Sequence, residues 1–428
     1  MRSAWRAWSG AVVNKIVMDN PVLVVERRST ALLVLASLFV LLSILDHTVV
    51  LSGIPMLRNP AALAALLLVL FFLVFAIKHL RITEVAQWWT LGFLMTTLVV
   101  ELVRILGEGN MIPGWLFYYL QWVQKLALFF ILLDLAKDPR AFHYLGISFL
   151  LAVLYISFSA VMAPEGFAVG DDLRLGAEGA NLNRQAYWYA MATLALVWWL
   201  IERWPRFDLL SVLLFLIAGF EFYCLLRSGS RAAFMGMVLG LLCLVVVGFR
   251  REKLSAYLTL LPIIVLASCF VLLRNDLVLE RLLMVWQGTQ DGMRSSIFSA
   301  AWNIFLERPF VGHGFDYHET LGAQLGVGER LATHNSFLRV LLNFGILAGI
   351  VWVGLIGSVM WRCWRGRSSA VGGLFLSLLV LSSVYGSFDE LQFDKFFWVM
   401  LALASQASLY SMVYVGYRLE VRNAKVAG

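Results

Sequence analysis

Arg227 and Arg231 stand four residues apart in Arg227-Ser-Gly-Ser-Arg231, a very short turn between two long apolar runs. Two guanidinium forks at that spacing can grip a diphosphate through bidentate, charge-assisted hydrogen bonds. Snorkelling of both side chains to lipid phosphates is the competing account of the same pair. Arg294 precedes an amphipathic stretch, and Thr333-His334-Asn335-Ser336 introduces a further apolar run. Thr333 reads as an N-cap. His334 then falls in the first helical turn, where the helix dipole favours an uncharged ring of the kind a general base needs. The free N–H groups of the same helix start suit an anion. A structural, hydrogen-bonding histidine is the bland account of His334; the arginines close to it in topology favour the base.

Other chemistry is weaker. His313 and His318 share a segment with His334, but their spacing is neither a helical i, i+4 pair nor a finger pattern. Asp171-Asp172 suits a solvated loop better than a divalent-cation site. No metal and no other cofactor is expected. Cys224, Cys243 and Cys269 lie in apolar runs and Cys363 in a basic loop, so no disulfide framework is expected. Inside the apolar runs stand Glu101, Arg104, Gln121, Gln124, Lys125 and Glu221. A charged group near a bilayer centre costs about 2.5–3.5 kcal/mol on insertion scales, so these side chains must face a protein interior. Two accounts stay open: they pair with one another (Glu101 with Arg104, Lys125 with Glu221), or they line an outward-open pocket for a polar substrate.

The elements that must carry these residues are membrane helices. Of 428 residues, 61% are hydrophobic and 14% charged, and the mean hydropathy is +0.81. That composition excludes a soluble enzyme. The net charge of +7 does not imply nucleic-acid binding, because in a membrane protein the placement of basic residues is what matters. Apolar runs at about 30–45, 61–77, 86–104, 114–133, 142–162, 185–201, 208–226, 231–248, 255–273, 335–358, 370–386 and 394–415 give about 12 transmembrane helices. The N-terminal segment, alternate loops and the tail hold 20 of the 34 Lys and Arg, which orients both termini to the cytoplasm. A retained N-terminus is expected, since no small-residue cleavage site follows the first apolar run. The fold class is an all-α polytopic membrane protein, with 1–428 as one integral membrane domain.

The longest outer loop, 274–334, lies between the ninth and tenth runs and is expected to carry part of the active site. Within it Ile297, Phe298, Ala301, Ile304 and Phe305 fall on one side of a helix ending at Pro309, as on an amphipathic helix at the outer surface. Gly312, Gly314, Gly322, Gly326 and Gly328 make a turn-rich return to the membrane. No internal repeat divides the chain, which disfavours a carrier with two six-helix halves.

Arg227-Ser-Gly-Ser-Arg231-Ala-Ala, Arg294 with its amphipathic stretch, Arg308-Pro309-Phe-Val-Gly312-His-Gly314-Phe, and Thr333-His334-Asn335-Ser336-Phe-Leu338 with Gly345 and Gly349 resemble the O-antigen ligase and O-antigen polymerase superfamily. The resemblance is specific over about Arg227 to Gly349, with Asn181-Leu-Asn183 as a fainter echo. It implies a GT-C-like glycosyltransferase of the bacterial inner membrane. Such an enzyme moves a glycan from undecaprenyl diphosphate to a hydroxyl on the periplasmic side, without a metal ion. By resemblance, His334 is the base and Arg231 and Arg294 bind the donor diphosphate; Arg227 is added from its place on the same turn. A ligase, with the lipid A core as acceptor, is favoured over a polymerase because there is one dominant outer loop. Membrane lipids are the remaining partners, and no nucleic acid is. The roles of Arg274, Arg281, Arg308 and Arg330 stay open between donor, acceptor phosphates and lipid headgroups. A lipid-linked glycan flippase and a scaffold subunit are the alternatives of other classes.

Overall fold

The computed structural model describes residues 29–45, 60–75, 84–108, 115–162, 168–169, 172–173, 181–205, 208–248, 253–259, 262, 292–314, 317–327, 331–367 and 369–410. The longer helices are α1 (Thr30–Leu45), α2 (Pro60–Phe75), α3 (Val85–Glu108), α4 (Trp115–Leu135), α5 (Arg140–Met162), α6 (Leu182–Arg203), α7 (Leu209–Arg227), α8 (Arg231–Gly248), α9 (Gly292–Glu307), α10 (Tyr317–Gln324), α11 (Ser336–Arg365), α12 (Ala370–Gly386) and α13 (Lys395–Ser405). The strands among the described residues are a two-residue antiparallel pair, Ala168–Val169 with Asp172–Leu173. The architecture is that of an all-helical, polytopic membrane protein. Among the described residues four helices (α3, α5, α7 and α11) are long and apolar enough to cross a membrane, and α1, α8, α12 and α13 are shorter apolar helices. Most of the expected run at 255–273 falls outside the described residues, and so do both chain ends and the loop segment 274–291.

Helices apolar on every side must be buried or face lipid. Both occur: Leu33 and Leu68 are sealed in the core while Leu106, Val74 and Leu209 are well exposed. The core runs through Phe93, Trp122, Phe344 and Trp352, which meet edge-on or tilted with ring centroids 5.6–6.3 Å apart. Polar caps begin several helices. Asn181, Asp208, Ser369 and Asp394 each accept backbone N–H bonds at the start of α6, α7, α12 and α13. Hydrogen bonds from Ser211 hold the Asp208 carboxyl below its usual range.

A helix, α9, spans the stretch expected to be amphipathic, but apolar Phe298, Trp302 and Leu306 are exposed on it. Ile297, Ala301, Ile304 and Phe305 are buried against Tyr317 and Leu321 of α10 and Leu338 and Leu342 of α11, whereas Phe298 is exposed. The glycine-rich return contains the helix α10, which its eight residues and weak periodicity hide in the sequence. At the end of α9 the chain plugs a break in α11. Gly345 has φ 75° and ψ −175° and interrupts the helix. The break frees backbone groups that cannot be left bare inside an apolar bundle. The His313 N–H donates to the Leu342 carbonyl at 2.6 Å, and the Ile346 N–H donates to the Pro309 carbonyl at 2.8 Å. The same loop passes over the buried Glu101–Arg104 pair, where a Cβ at Gly314 would meet Arg104 Cζ at 2.6 Å.

A Cβ at Gly345 would collide with the Phe310 carbonyl. Gly345→Ala is therefore expected to lower the thermal unfolding midpoint in detergent, since the backbone strain alone is about 1–3 kcal/mol. An unchanged midpoint would show that the loop and the break are not coupled.

Candidate active site at one end of the helix bundle

Three antiparallel pairings bring the named residues to one end of the bundle. Tyr187 stacks on Tyr385 at 4.6 Å and Trp198 donates to the Ala370 carbonyl, so the start of α6 lies beside the end of α12. Gly236 abuts the Leu381 carbonyl and Gly240 the Ser377 carbonyl, so α8 also runs antiparallel to α12. Continued back along both helices, that register brings Arg231 to the level of Gly386. Gly386 in turn abuts Ser336, where a Cβ would lie 3.3 Å from its Oγ.

The connector from Ser387 to Asp394 is the hub of this end. Asn335 Nδ2 donates to the Ser387 carbonyl at 3.0 Å, and Ser336 Oγ donates to the Asp389 carbonyl at 2.8 Å while accepting the Leu391 N–H at 2.8 Å. Thr333 Oγ1 reaches Glu390 at 3.5 Å, and Glu390 pairs with Arg339. Tyr385 donates to Asp389. The residues on either side of His334 are thus tied to the connector. His334 itself is exposed, has φ +48°, and no described residue hydrogen-bonds to its ring. A left-handed non-glycine residue is uncommon and persists where its surroundings over-determine it, often at functional sites.

The cap differs from the sequence expectation. Asn335, not Thr333, caps α11, and its side chain accepts the N–H groups of Phe337 and Leu338. Threonine and asparagine are both good caps; the Ser387 bond to the other end of the Asn335 amide selects between them. His334 accordingly precedes the helix instead of standing in its first turn, so the first-turn dipole argument does not apply to it.

Arg227 ends α7 and Arg231 begins α8. Between them Ser228 Oγ donates to the Leu225 carbonyl and accepts the Ser230 N–H, which closes the turn. Both arginines are half-buried, and Arg227 Nε is buried without a hydrogen-bond partner among the described residues. An unmet guanidinium N–H in that position fits an anionic ligand better than an idle surface charge. Arg294 lies in the first turn of α9 and is exposed. The described contacts do not join its side chain to Arg231 or His334. Arg308 is exposed at the end of α9, while Arg274, Arg281 and Arg330 lie outside the described residues.

Sequence reasoning passed over Arg184, Arg339 and Lys395. Asn181 caps α6 by accepting the N–H of Asn183 and Arg184, which explains the Asn181-Leu-Asn183 signature and sets Arg184 in the first turn. Arg184 approaches Asp394 at 3.8 Å, and Trp188 Nε1 donates to the same carboxylate at 2.9 Å. Arg339 lies 5.7 Å from the centre of the Tyr317 ring, whose phenol burial pushes well up. The legible signal was Asp389-Glu390 and Asp394-Lys395, four charges in a short connector between apolar runs.

The intramembrane charges divide. Glu101 and Arg104 pair at 2.7 Å, the plain account of the two. Lys125 and Glu221 do not: Glu221 bonds to Ser157 at 2.6 Å, and Lys125 Nζ lies 5.8 Å from the centre of the Trp122 ring. His313 and His318 each bond through the ring to a loop carbonyl, of Ile304 and Leu331, at 2.7 Å. Cys224, Cys243 and Cys363 are free thiols, Cys269 lies outside the described residues, and the described residues contain no cluster able to hold a metal.

Residues 212–353 match the family described as O-Antigen ligase. An O-antigen ligase of Pseudomonas aeruginosa is 30% identical over 220 residues, 50% of this chain and 50% of that protein, so the matched region spans about half the length of the relative. The family match encloses the Arg227–Arg231 turn, α9 with Arg294, the loop seated in the α11 break, and His334. Over that region the chain is similar to the O-antigen ligase family.

Proposed function

We propose that this protein is an O-antigen ligase of lipopolysaccharide biosynthesis. It is a glycosyltransferase of the inner membrane that transfers a glycan from undecaprenyl diphosphate to a hydroxyl of the lipid A core on the periplasmic face. The observation that carries the reading is the helix register that sets Arg231 level with Gly386, which abuts Ser336 two residues after His334; Arg231 and His334 both lie inside the region matched by the family.

In this reading His334 takes the proton of the acceptor hydroxyl, whose oxygen attacks the anomeric carbon of the donor sugar. The bond from that carbon to the diphosphate oxygen breaks, and the diphosphate leaves with the electron pair. Arg231, Arg294 and Arg227 neutralise the developing charge, so neither Mg²⁺ nor a general acid is needed. One displacement inverts the anomeric configuration. The 274–334 segment supplies Arg294 and His334 and carries part of the site. Both chain ends are cytoplasmic.

The test is transfer by purified protein from undecaprenyl-diphosphate glycan, with lipid A core or a second undecaprenyl-linked glycan as acceptor, in chelator. Attachment to the core with inverted configuration is the expected result. Chain lengthening without core attachment would make the protein a polymerase. Retained configuration would overturn the single displacement, and no transfer to either acceptor would leave the flippase.

A further inference from the structure

We propose that α9 lies in the surface of the lipid bilayer, with Phe298, Trp302, Leu306 and Phe310 seated among lipid acyl chains at the membrane boundary. The proposal needs the chain to span a membrane and does not need the ligase reading.

These four residues are spaced by four, a stripe along one side of α9 that continues past its end, and each is 42–68% exposed. The stripe adjoins the buried side formed by Ile297, Ala301, Ile304 and Phe305. The Trp302 ring rests beside Phe305, with centroids 5.2 Å apart. Further round the helix Ser299, Asn303 and Glu307 are exposed and polar. α9 therefore has three sides: one against the protein, one apolar and uncovered, and one suited to water. A helix in solution needs only the first and the last. The second is what a helix lying in a bilayer surface carries.

Helix lengths set the height of α9. α11 has 30 residues and α12 has 17, about 45 Å and about 25 Å at the α-helical rise. A short link joins them after Arg365, and they meet again at the other end, where Gly386 abuts Ser336. Helices so unequal can close at both ends only if the longer one folds over, and Gly345, with φ 75°, is where α11 does so. Residues 346–365 then span about 30 Å, the depth of the hydrocarbon core. Trp361, Arg362, Trp364 and Arg365 stand at the far boundary, where tryptophan and arginine are at home. The part of α11 before the break, 336–344, runs along the bundle end at the near boundary. Leu338 and Leu342 of that part are what α9 packs on, so α9 shares its height.

The stripe is also continuous with a surface that faces lipid. A Cβ at Gly345 would collide with the Phe310 carbonyl, and the Ile346 N–H donates to the Pro309 carbonyl at 2.8 Å. Ile346, Leu347, Ile350 and Val353 are exposed on the spanning part of α11. Phe310 thus carries the lipid-facing surface of α11 onto α9. A second copy of the chain fits the stripe poorly, because four side chains fall well short of the about 800 Å² that each partner gives to a stable interface.

The experiment is spin-label accessibility on full-length protein in nanodiscs of phosphatidylethanolamine and phosphatidylglycerol. A ketone-bearing phenylalanine analogue carries the label, singly, in place of Phe298, Leu306 or Phe310, which leaves the native cysteines untouched. Ile350 is the lipid control and Asn303 the water control. Labels at Phe298, Leu306 and Phe310 are expected to collide with oxygen more than with a water-soluble nickel chelate, as at Ile350, and the label at Asn303 to show the reverse. Unmodified protein supplies a second reading that no folding defect can disturb: phospholipid with a diazirine in its acyl chain should label the peptide 298–310. Preference for nickel at Phe298 and Leu306 would put the stripe in water and overturn the proposal. Exclusion of both reagents, with the peptide unlabelled, would mean that a protein surface covers the stripe and would also overturn it. Oxygen preference that appears only after a polyprenyl diphosphate is added would assign the stripe to the tail of a lipid-linked substrate, with the same consequence.

Discussion

Replacing His334 by alanine is expected to reduce glycan transfer by about 10²–10⁴-fold, the usual worth of a positioned general base. The fold should survive, because the ring is exposed and the described residues make no hydrogen bond to it. The clamp uses its neighbours instead: Thr333 to Glu390, Asn335 to Ser387, Ser336 to Asp389 and Leu391. Backbone conformation needs a control of its own, since φ is +48° at this position. His334→Asn is the better variant for that reason, because asparagine tolerates the left-handed region and offers no basic nitrogen. Transfer rates and thermal midpoints measured together separate the two effects. Near-wild-type transfer by either variant, with midpoints unchanged, would remove the base assignment.

Arg231→Lys should fall nearly as far. Lysine keeps the charge and loses the planar fork, so a bidentate grip on the leaving diphosphate becomes a single point contact. A loss of about 10²–10³-fold in single-turnover transfer is expected, comparable to removing one preorganised donor from a developing anion. Arg231 opens α8 at the level of Gly386, one residue before the connector that clamps His334. A reduced rate with an unchanged midpoint supports a grip that tightens as the bond to diphosphate breaks. Full activity would mean that charge alone suffices at this position, and the forked clamp would then have to rest on Arg227, whose Nε is buried without a partner among the described residues.

Much of this molecule is legible from one dimension. Length and apolarity of a run decide whether it can be a membrane helix, and the bounds of the first run, 30–45, coincide with α1. The Arg227–Arg231 turn is legible for the same local reason: the Ser228 hydroxyl satisfies backbone groups within three residues of itself. The helix that carries Arg294 was visible from periodicity, and four of the five residues expected on its inner face are buried.

Contacts between distant segments decided the rest. Asn335 rather than Thr333 caps α11 because Ser387, 52 residues away, engages its amide. The cations at Arg184, Arg339 and Lys395 meet at a connector that sequence shows only as a short charged loop; Trp188 and Asp394, which fix one side of it, are 206 residues apart. Lys125 and Glu221, alike in the sequence as buried charges, take different surroundings because α4 faces α13 while Glu221 faces Ser157 of α5. The break at Gly345 is hidden because glycine in an apolar run is compatible with an unbroken helix. It becomes a break once the chain from Pro309 to Gly314 supplies hydrogen bonds for the backbone groups it exposes. Hydrophobic length and turn chemistry are properties of neighbouring residues and can be read locally. Which polar groups meet inside an apolar bundle is set by helix packing, because only there does each buried donor find its acceptor.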